Sequence, residues 1–330
     1  MNRIAVLFLC LAMFLVPFAC KHKGVSNGEN PPIKISINAW SGYALAFLAQ
    51  EKGLFKKNGV EVELVLDKSS PETLQSFKDG KVDGCFQVFP DVVLLDAQGF
   101  AARVVYVIDY STSGDAVVAR PGIRSLSDLR GRTASFEMVN TFSQMFVLKL
   151  LEKAGLGEAD LRFAVVSAHD VLKALDEGKI DAGHTWEPTK SKALKKGYKV
   201  LGQASDVPGI ILDVLIFSQD VIDKRPNDIK AVVKSLSDAL ALVKADPQGS
   251  INIMADRMGM TAAEMKSGLD GMHQPDLAEN KKLMTARSGL SLYDSGSAII
   301  DFYLERGQLS RIPEIYNMIE PKFVKELGTE

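Results

Sequence analysis

Short runs of alternating apolar and polar residues recur along the chain, separated by segments with helical spacing. Residues 33–39 (IKISINA) and 60–66 (VEVELVL) alternate as strands with one buried face do. Residues 42–57 carry apolar side chains at helical spacing, and a Ser-Pro pair opens a second helix over residues 70–80. A strand is predicted next over residues 82–88. Strands that alternate with helices in this way predict an α/β fold built on parallel sheets.

The second half of this pattern repeats the first half at an offset of 98 residues. Residues 74–90 read LQSFKDGKVDGCFQVFP, and residues 172–188 read LKALDEGKIDAGHTWEP. A Gly-Lys-aliphatic-Asp tetrapeptide and a closing proline hold the same places in both segments. The second half predicts strands over residues 132–136, 161–166 and 180–186 and helices over residues 141–154 and 170–177. The repeat therefore predicts two similar α/β lobes.

The remainder of the chain is mostly helical in pattern. One more strand is predicted over residues 213–218, and helices follow over residues 227–245, 251–258, 262–269 and 296–306. We expect these helices to complete the first lobe, because the second lobe already has its own repeat. The predicted boundaries are residues 33–117 and 209–330 for the first lobe and residues 118–208 for the second lobe.

The first residues have the pattern of an export signal. Arg3 precedes an almost wholly apolar stretch, residues 4–19, which ends in an alanine. A short basic region, an apolar region of this length and a small residue before the cut are typical of a secretory signal peptide. A membrane-spanning helix is the alternative, but spanning a bilayer takes about 20 apolar residues. We therefore expect residues 1–19 to be removed on export.

A cysteine follows the apolar stretch directly. Cys20 after a small residue resembles the bacterial lipoprotein signal, in which the cysteine thiol is lipidated and becomes the new N-terminus. The match is partial, because Pro17 and Phe18 stand where that pattern has an aliphatic and a small residue. Residues 20–32 contain the Gly, Ser, Asn and Pro of a flexible tether. We expect a lipid-anchored linker here, and a simple secreted protein is the alternative.

Composition narrows the class of protein. The formal net charge is −2, and no basic block is present, which argues against nucleic-acid binding. No further apolar run is long enough to span a bilayer, so a polytopic membrane protein is disfavoured. Beyond Cys20 the only cysteine is Cys85, which leaves no internal disulfide to expect. A chain with 46% hydrophobic residues can stabilise two folded lobes by burying apolar side chains, without a disulfide.

Polar and aromatic residues stand at the predicted strand ends of both lobes. Ligands of open α/β sheets bind beyond the carboxyl ends of the strands. We predict a ligand-binding site formed by Trp40, Ser41, Tyr43, Phe89, Asp109, Glu137, Thr141, Trp186, Glu187 and Asp213. Both tryptophans of the chain belong to this set.

Each of these residues also has a purely structural alternative. Tryptophans bury large areas and often serve as core anchors. Ser41 and Thr141 open helices, so we expect both to act as caps, with anion contact as an optional second role. Asp109 could complete a turn, Glu187 could accept from helix N-terminal amides, and Asp213 could belong to a hydrogen-bond network at the hinge.

Signals for catalysis are weak. No dinucleotide-binding motif, phosphate-binding loop or H-E-x-x-H motif occurs. The four histidines are widely spaced, so we expect neither a metal site nor histidine-dependent catalysis. Cys85 lies within a strand pattern and is expected to be a core residue. We therefore predict a protein that is not an enzyme and needs no cofactor.

Several segments, in this order, resemble one family. They are WSGYALAFLAQEKGLFKKNGVEVELV, the Arg120-Pro121 pair within VVARPGIRSLSDLRGRT, FVLKLLEKAGL, and DAGHTWEP. Together they are similar to the solute-binding proteins of nitrate/sulfonate/taurine-type ABC importers, a group that includes binders of the thiamine pyrimidine precursor. The resemblance covers residues 33–290. It implies a type II periplasmic-binding-protein fold, with two parallel-sheet lobes, a two-strand hinge and a ligand cleft that closes between the lobes.

The resemblance also implies partners and a location. The expected partners are a small-molecule ligand, an ABC permease with its ATPase, and the membrane through the lipid anchor. The expected location is the periplasmic side of the cell envelope, and a monomer suffices for capture of one ligand. A sensory input domain is a further alternative, but it would need a fused signalling module, and we do not expect one.

The candidate site residues predict the class of ligand. Oxyanion binders present Arg, Lys, His or free helix N-termini, whereas the candidates here are carboxylates and aromatic rings. We therefore predict a nitrogen-containing ligand: an amine, an aminosulfonate such as taurine, or a pyrimidine-like ring. Two alternatives stay open. One is an exported family member that binds a sulfonate or another oxyanion, and the other is a biosynthetic enzyme of the same fold for a pyrimidine precursor.

Overall fold

The computed structural model describes residues 31–328, and two mixed β-sheets organise this part of the chain. The strands are β1 Ile33–Ile37, β2 Val62–Leu66, β3 Gly84–Val88, β4 Ala102–Ser111, β5 Ala116–Ala119, β6 Thr133–Phe136, β7 Arg162–Val165, β8 Ala182–Thr185, β9 Lys199–Gln203, β10 Leu212–Ser218 and β11 Met272–His273. The helices are α1 Ala44–Glu51, α2 Leu54–Lys57, α3 Ser70–Lys78, α4 Phe89–Ala97, α5 Phe142–Lys153, α6 Val171–Asp176, α7 Thr189–Lys195, α8 Gln219–Lys224, α9 Pro226–Ala245, α10 Pro247–Met258, α11 Ala262–Asp270, α12 Leu277–Thr285, α13 Leu292–Glu305, α14 Ile315–Met318 and α15 Lys322–Leu327.

The two sheets have equivalent strand orders. The first sheet runs β11-β4-β10-β3-β1-β2, and the second runs β7-β6-β8-β5-β9. Read from the opposite edge, the second sheet is β9-β5-β8-β6-β7, so β3, β1 and β2 correspond to β8, β6 and β7. The strand inside each copy of the sequence repeat, β3 or β8, thus holds the same place in its sheet. The type II periplasmic-binding-protein fold is confirmed, with its two lobes built alike.

The sheets are mixed, which differs from the all-parallel sheets that the sequence predicts. The pairs of β1 with β2 and β3, and of β6 with β7 and β8, are parallel as expected. β10 pairs antiparallel with β3 and β4, and β5 pairs antiparallel with β8 and β9. Both β5 and β10 follow a crossing between the sheets. Each enters its sheet at the carboxyl ends of the parallel strands and must therefore run against them.

The chain crosses twice between the sheets. It leaves the first sheet after Ser111 and joins the second at Ala116, and it returns between Gln203 and Leu212. Both crossings lie beside the carboxyl ends of the parallel strands. Ala116 pairs with Thr185, the last residue of β8, and Asp213 pairs with Val88, the last residue of β3.

Local sequence determines where two of the early helices begin and end. The predicted helix over residues 42–57 is divided into α1 and α2, because Gly53 adopts a left-handed conformation with φ of 64°. Before α1, Ser41–Tyr43 form a 3-10 turn. The cap of α3 is Ser69, whose hydroxyl accepts from the Glu72 amide at 3.4 Å, and Pro71 lies within the first turn.

Within residues 31–328, no helix combines the length and the apolar character that crossing a membrane requires. The predicted signal peptide, Cys20 and most of the predicted linker lie outside the described residues.

Candidate functional site

The carboxyl ends of strands from both lobes surround one cavity. The cavity contains about 280 Å³ of empty space, part of it open to solvent. Its lining residues are Asn38, Trp40, Tyr43, Ser70, Val88, Asp115, Phe142, Trp186, Ile211 and Asp213. Four of the predicted site residues are therefore in its wall: Trp40, Tyr43, Trp186 and Asp213.

An aromatic cluster forms much of this wall. Trp40 follows β1 in the first lobe, and Trp186 follows β8 in the second. Their ring centroids are 6.3 Å apart with an interplanar angle of 86°, which is an edge-to-face contact. Phe142, the first residue of α5, lies 6.2 Å from Trp186. The Trp186 indole Nε1–H is buried and has no hydrogen-bond partner within the protein.

Two carboxyl groups face each other beneath these rings. Asp109 and Asp213 are direct partners on the neighbouring strands β4 and β10, and both are fully buried or nearly so. Trp40 donates its indole N–H to Asp109 Oδ2 at 3.0 Å, and Tyr43 donates its hydroxyl to Asp213 Oδ1. Burial raises the pKa of both carboxyls, and the facing Asp109 raises the pKa of Asp213 further. The pair therefore favours a shared proton or a cation beside it.

The glycine between these residues permits the close approach. Gly42 lies beside Asp109 and Trp40, and a Cβ on Gly42 would overlap the Asp109 carboxylate. Burial and the contact with Asp213 hold the pKa of the Tyr43 hydroxyl well above its ordinary value. Tyr43 consequently remains a proton donor to Asp213.

A hydrogen-bond chain in the second lobe ends at the cavity. The Glu137 amide donates to Ser143 Oγ at 2.9 Å, and Ser143 Oγ lies 2.7 Å from His184 Nδ1. His184 Nε2 lies 3.0 Å from Asp115 Oδ1. The other oxygen, Asp115 Oδ2, is buried without a partner in the protein, in a residue that lines the cavity. The chain therefore fixes the orientation of the Asp115 carboxylate.

Two further buried acids, Glu137 and Asp91, lie close to the start of α5. Glu137, which follows β6, has its pKa raised to about 7 by burial and secondarily by Asp115. Glu137 Oε1 is buried without a partner. Asp91, in the first turn of α4, accepts the amide N–H of Phe142 at 2.7 Å. Burial raises the pKa of Asp91 to about 7 in spite of this bond, and Glu137 adds to the rise.

The predicted helix caps were wrong. Thr141 does not cap α5 with its side chain, because its hydroxyl donates to the Met138 carbonyl at 2.8 Å. Ser41 makes no cap bond either, and its hydroxyl lies 4.0 Å from Met260 Sδ. Neither residue lines the cavity.

Glu187 and Phe89 also lie outside the cavity lining. Glu187 Oε1 accepts from Ser267 at 3.1 Å and lies 3.3 Å from Lys190 Nζ, while Oε2 accepts the Ser191 amide at 3.2 Å. This last bond matches the alternative in which Glu187 serves helix amides. Phe89 begins α4 and is fully buried in the core.

Six lining residues were not predicted from the sequence: Asn38, Ser70, Val88, Asp115, Phe142 and Ile211. Asn38 directly follows β1 in the lining, and its Oδ1 has no partner. Asp115 lies in the first crossing, between two stretches that lack a clear alternation. The signal that could have found it is its position, because a crossing segment must pass the cleft between the lobes.

The cavity lining contains acidic side chains but no basic ones. The lining contains two aspartates and no Lys, Arg or His. The nearby buried cation, Lys190, is already engaged with the Ser113 carbonyl at 2.7 Å and with Glu187. Within residues 31–328, no group of three or more His, Cys, Asp or Glu side chains is arranged to hold a metal ion. The cavity wall therefore offers aromatic faces, two unpartnered acceptors (Asn38 Oδ1 and Asp115 Oδ2) and one unpartnered donor, the Trp186 Nε1–H. This set suits a ligand that has N–H groups and an acceptor atom.

Comparison with known proteins gives a family match and several relatives. The family model described as NMT1/THI5 like matches residues 40–250. A relative from Escherichia coli (strain K12), named for the binding of aliphatic sulfonates, is 26% identical over 254 residues, covering 75% of this chain and 78% of the relative. A 4-amino-5-hydroxymethyl-2-methylpyrimidine phosphate synthase from Saccharomyces cerevisiae (strain S288c) is 26% identical over 217 residues, covering 61% of this chain and 63% of the synthase.

The fold is shared with solved binding proteins. The crystal structure of the periplasmic aliphatic sulphonate binding protein SsuA from Escherichia coli superposes with a TM-score of 0.72 at 22% identity. The match covers 88% of this chain and 93% of SsuA. At this identity the likeness concerns the fold.

Proposed function

The chain belongs to the NMT1/THI5-like family, and from this premise we propose that it is the extracytoplasmic solute-binding component of an ABC importer. It captures a small nitrogen-containing metabolite between its lobes and delivers it to a permease that works with an ATPase. The metabolite is an amine, an aminosulfonate such as taurine, or a pyrimidine-like compound. The names of the sulfonate-binding relatives support the solute-binding role.

One observation supports the proposed class of ligand, a nitrogen-containing compound. The cavity combines four aromatic side chains with buried acceptors, Asn38 Oδ1 and Asp115 Oδ2, that have no partner in the protein. A buried acceptor left unpaired costs about 1–3 kcal/mol, so a ligand that donates to it gains this amount on binding. Aromatic faces add up to about 2 kcal/mol for a desolvated cation.

We also propose how the protein is anchored to the membrane and where its two lobes begin and end. Export through residues 1–19 and lipidation of Cys20 would hold a monomer at the outer face of the membrane, within reach of the permease. We propose lobe boundaries near the two crossings, with residues 33–117 and 209–330 in the first lobe and residues 118–208 in the second. Hinge motion at the crossings would open and close the cleft.

Calorimetry on a ligand panel tests the proposed ligand class. The panel contains amines, aminopyrimidines, taurine, a simple alkanesulfonate and nitrate. We expect the tightest binding from a nitrogen-containing member other than nitrate. Asp115→Asn should weaken that binding at least tenfold, or about 1.4 kcal/mol, while the exposed Asp301→Asn should leave it unchanged. Tighter binding of nitrate or of the simple alkanesulfonate would contradict the nitrogen-containing ligand.

A pyrimidine-precursor enzyme is the second candidate function, because the yeast relative is named as a synthase. The cavity lining contains no Lys, His or Cys for covalent chemistry, and its acid-base groups are Tyr43, Asp115 and Asp213. Incubation of the protein with pyridoxal 5′-phosphate and histidine, followed by mass spectrometry, separates the two functions. Release of a new pyrimidine product would favour the enzyme.

A further inference from the structure

α11 of the first lobe contacts the segment of the second lobe that contains Trp186. Within its own lobe, α11 packs on α10 and on the 3-10 turn Ser41–Tyr43, which directly follows Trp40. Towards the second lobe, Ser267 of α11 donates its hydroxyl to Glu187 Oε1 at 3.1 Å. Glu187 is the residue after Trp186. One helix therefore contacts both segments that present a tryptophan to the cavity.

A glycine permits this close approach of the two lobes. Gly268, the residue after Ser267, is buried within α11. A Cβ on Gly268 would overlap the Ser41 hydroxyl and would lie 3.8 Å from Glu187 Cβ. A residue without a side chain therefore lets α11 lie between Ser41 and Glu187, close enough for the hydrogen bond from Ser267 to form.

The Glu187 carboxylate is held by groups from both lobes. Glu187 is only 2% exposed. Its Oε1 lies 3.3 Å from Lys190 Nζ, and its Oε2 accepts the Ser191 amide at 3.2 Å. These two partners belong to the second lobe, whereas Ser267 belongs to the first. Hydrogen bonds to a carboxylate are stronger than those between neutral groups, so this bond resists movement of Glu187 and the adjoining Trp186 away from α11.

The first crossing is attached to the same two helices. The carbonyl of Gly271, directly after α11, accepts the backbone amides of residues 112–114 at 2.8 to 2.9 Å. Lys190 of α7 donates to the Ser113 carbonyl at 2.7 Å. Contact between α7 and α11 is therefore made beside the crossing at which we propose that the lobes move.

We propose that Ser267 is a positioning residue for ligand capture, which holds the Glu187 carboxylate and thereby keeps Trp186 in the cavity wall against Trp40. This inference rests on the proposed function and adds to it a residue outside the cavity lining. Loss of the Ser267 hydroxyl lets the second lobe move away from α11 and lowers the fraction of closed protein. Apparent affinity scales with that fraction, so ligand binding weakens although no lining residue has changed.

Tryptophan fluorescence of the ligand-free protein tests this role. Trp40 and Trp186 are the two tryptophans of the chain, so all tryptophan emission comes from the cavity wall. Quenching by acrylamide measures how accessible the two rings are to solvent. The variants are Ser267→Ala, which removes the donor, Ser267→Thr, which keeps it, and Ser267→Asp, which places a second carboxylate against Glu187. Ser297→Ala, a change at an exposed serine of α13, is the control.

We expect the quenching constant of Ser267→Ala to be at least about twofold larger than that of the unaltered protein, because more of the protein is open. Ser267→Asp should show a still larger constant, because like charges repel. Ser267→Thr and Ser297→Ala should match the unaltered protein. Equal quenching in the unaltered protein, Ser267→Ala and Ser267→Asp, each with native circular dichroism, would overturn the role of Ser267. An increase in Ser267→Thr as large as that in Ser267→Ala would overturn it too, because the hydroxyl is retained.

Calorimetry with 4-aminopyrimidine and with ethanesulfonate separates this inference from the proposed function. Ser267 lies outside the lining, so Ser267→Ala should weaken the binding of either compound by the same factor, about tenfold. Unaltered protein that binds ethanesulfonate more tightly than 4-aminopyrimidine, with this factor still observed, would contradict the proposed ligand class and keep the role of Ser267. Tight binding of 4-aminopyrimidine that is unchanged in Ser267→Ala would do the reverse.

Discussion

Glu137→Gln should stabilise the ligand-free protein in alkaline solution. Glu137 is 7% exposed, its Oε1 has no partner, and burial together with Asp115 raises its pKa to about 7 from an ordinary 4.5. Glutamine has nearly the same shape but carries no charge. The substitution therefore removes the cost of burying a carboxylate and keeps the volume of the side chain.

The size and sign of the effect follow from the pKa. The folded protein binds this proton more tightly than the unfolded chain, so the contribution of Glu137 to stability is fully present below about pH 4.5. It decreases as the pH rises and is lost above about pH 7. At 1.36 kcal/mol per pKa unit, the complete loss is about 3 kcal/mol. Glu137→Gln has no carboxyl group at this position and therefore does not lose this free energy as the pH rises.

Urea denaturation of ligand-free protein at about pH 5 and about pH 8.5 measures the difference. The gain in unfolding free energy of Glu137→Gln over the unaltered protein should be about 2 kcal/mol larger at the higher pH, because about 1 kcal/mol is already lost at the lower pH. Glu305→Gln, an exposed change near the end of α13, should show no such increase. An equal gain at both pH values would refute the reasoning.

Three further results are expected. Tyr43→Phe should lower the unfolding free energy by about 1–3 kcal/mol, because Asp213 loses a buried donor; no loss in a denaturation experiment would contradict the bond. Gly84→Ala should cost about 2 kcal/mol or more, because its Cβ would lie 2.5 Å from a backbone oxygen of β10, whereas Gly157→Ala has open space and should change stability by less than about 0.5 kcal/mol. Neutral His184 should carry its proton on Nε2, and nitrogen-15 NMR showing it on Nδ1 would overturn the proposed hydrogen-bond chain to the cavity.

The sequence repeat predicted the architecture because each copy contains a complete structural unit. Gly80 and Gly178 both end a helix with positive φ, and β3 and β8 follow at equivalent places in their sheets. The strands that the pattern missed were β4, β5, β9 and the two-residue β11. β4 is buried along nearly its whole length, so its sequence, ARVVYVIDYS, has no alternation that would mark a strand with one exposed face.

The site was predicted in part, for a similar reason. Trp40 and Trp186 lie at equivalent strand ends of the repeat, and the structure brings them into contact. The bond between Asp91 and Phe142 was not predicted, because an acid that follows a proline is typical of the first turn of its own helix. Asp91 accepts from a different helix, 51 positions along the chain. The two residues meet because α4 packs against α5, and residues so far apart in the chain share no local sequence pattern.

Mass spectrometry of the small molecule released from gently purified protein tests capture most directly. The protein would be isolated by native purification, denatured, and its supernatant compared with that of the Asp115→Asn variant. We predict release of one nitrogen-containing compound from the unaltered protein, and at least tenfold less of it from the variant. Release of a nitrogen-free sulfonate or of nitrate, or of equal amounts from both proteins, would contradict capture of the proposed ligand through this cavity.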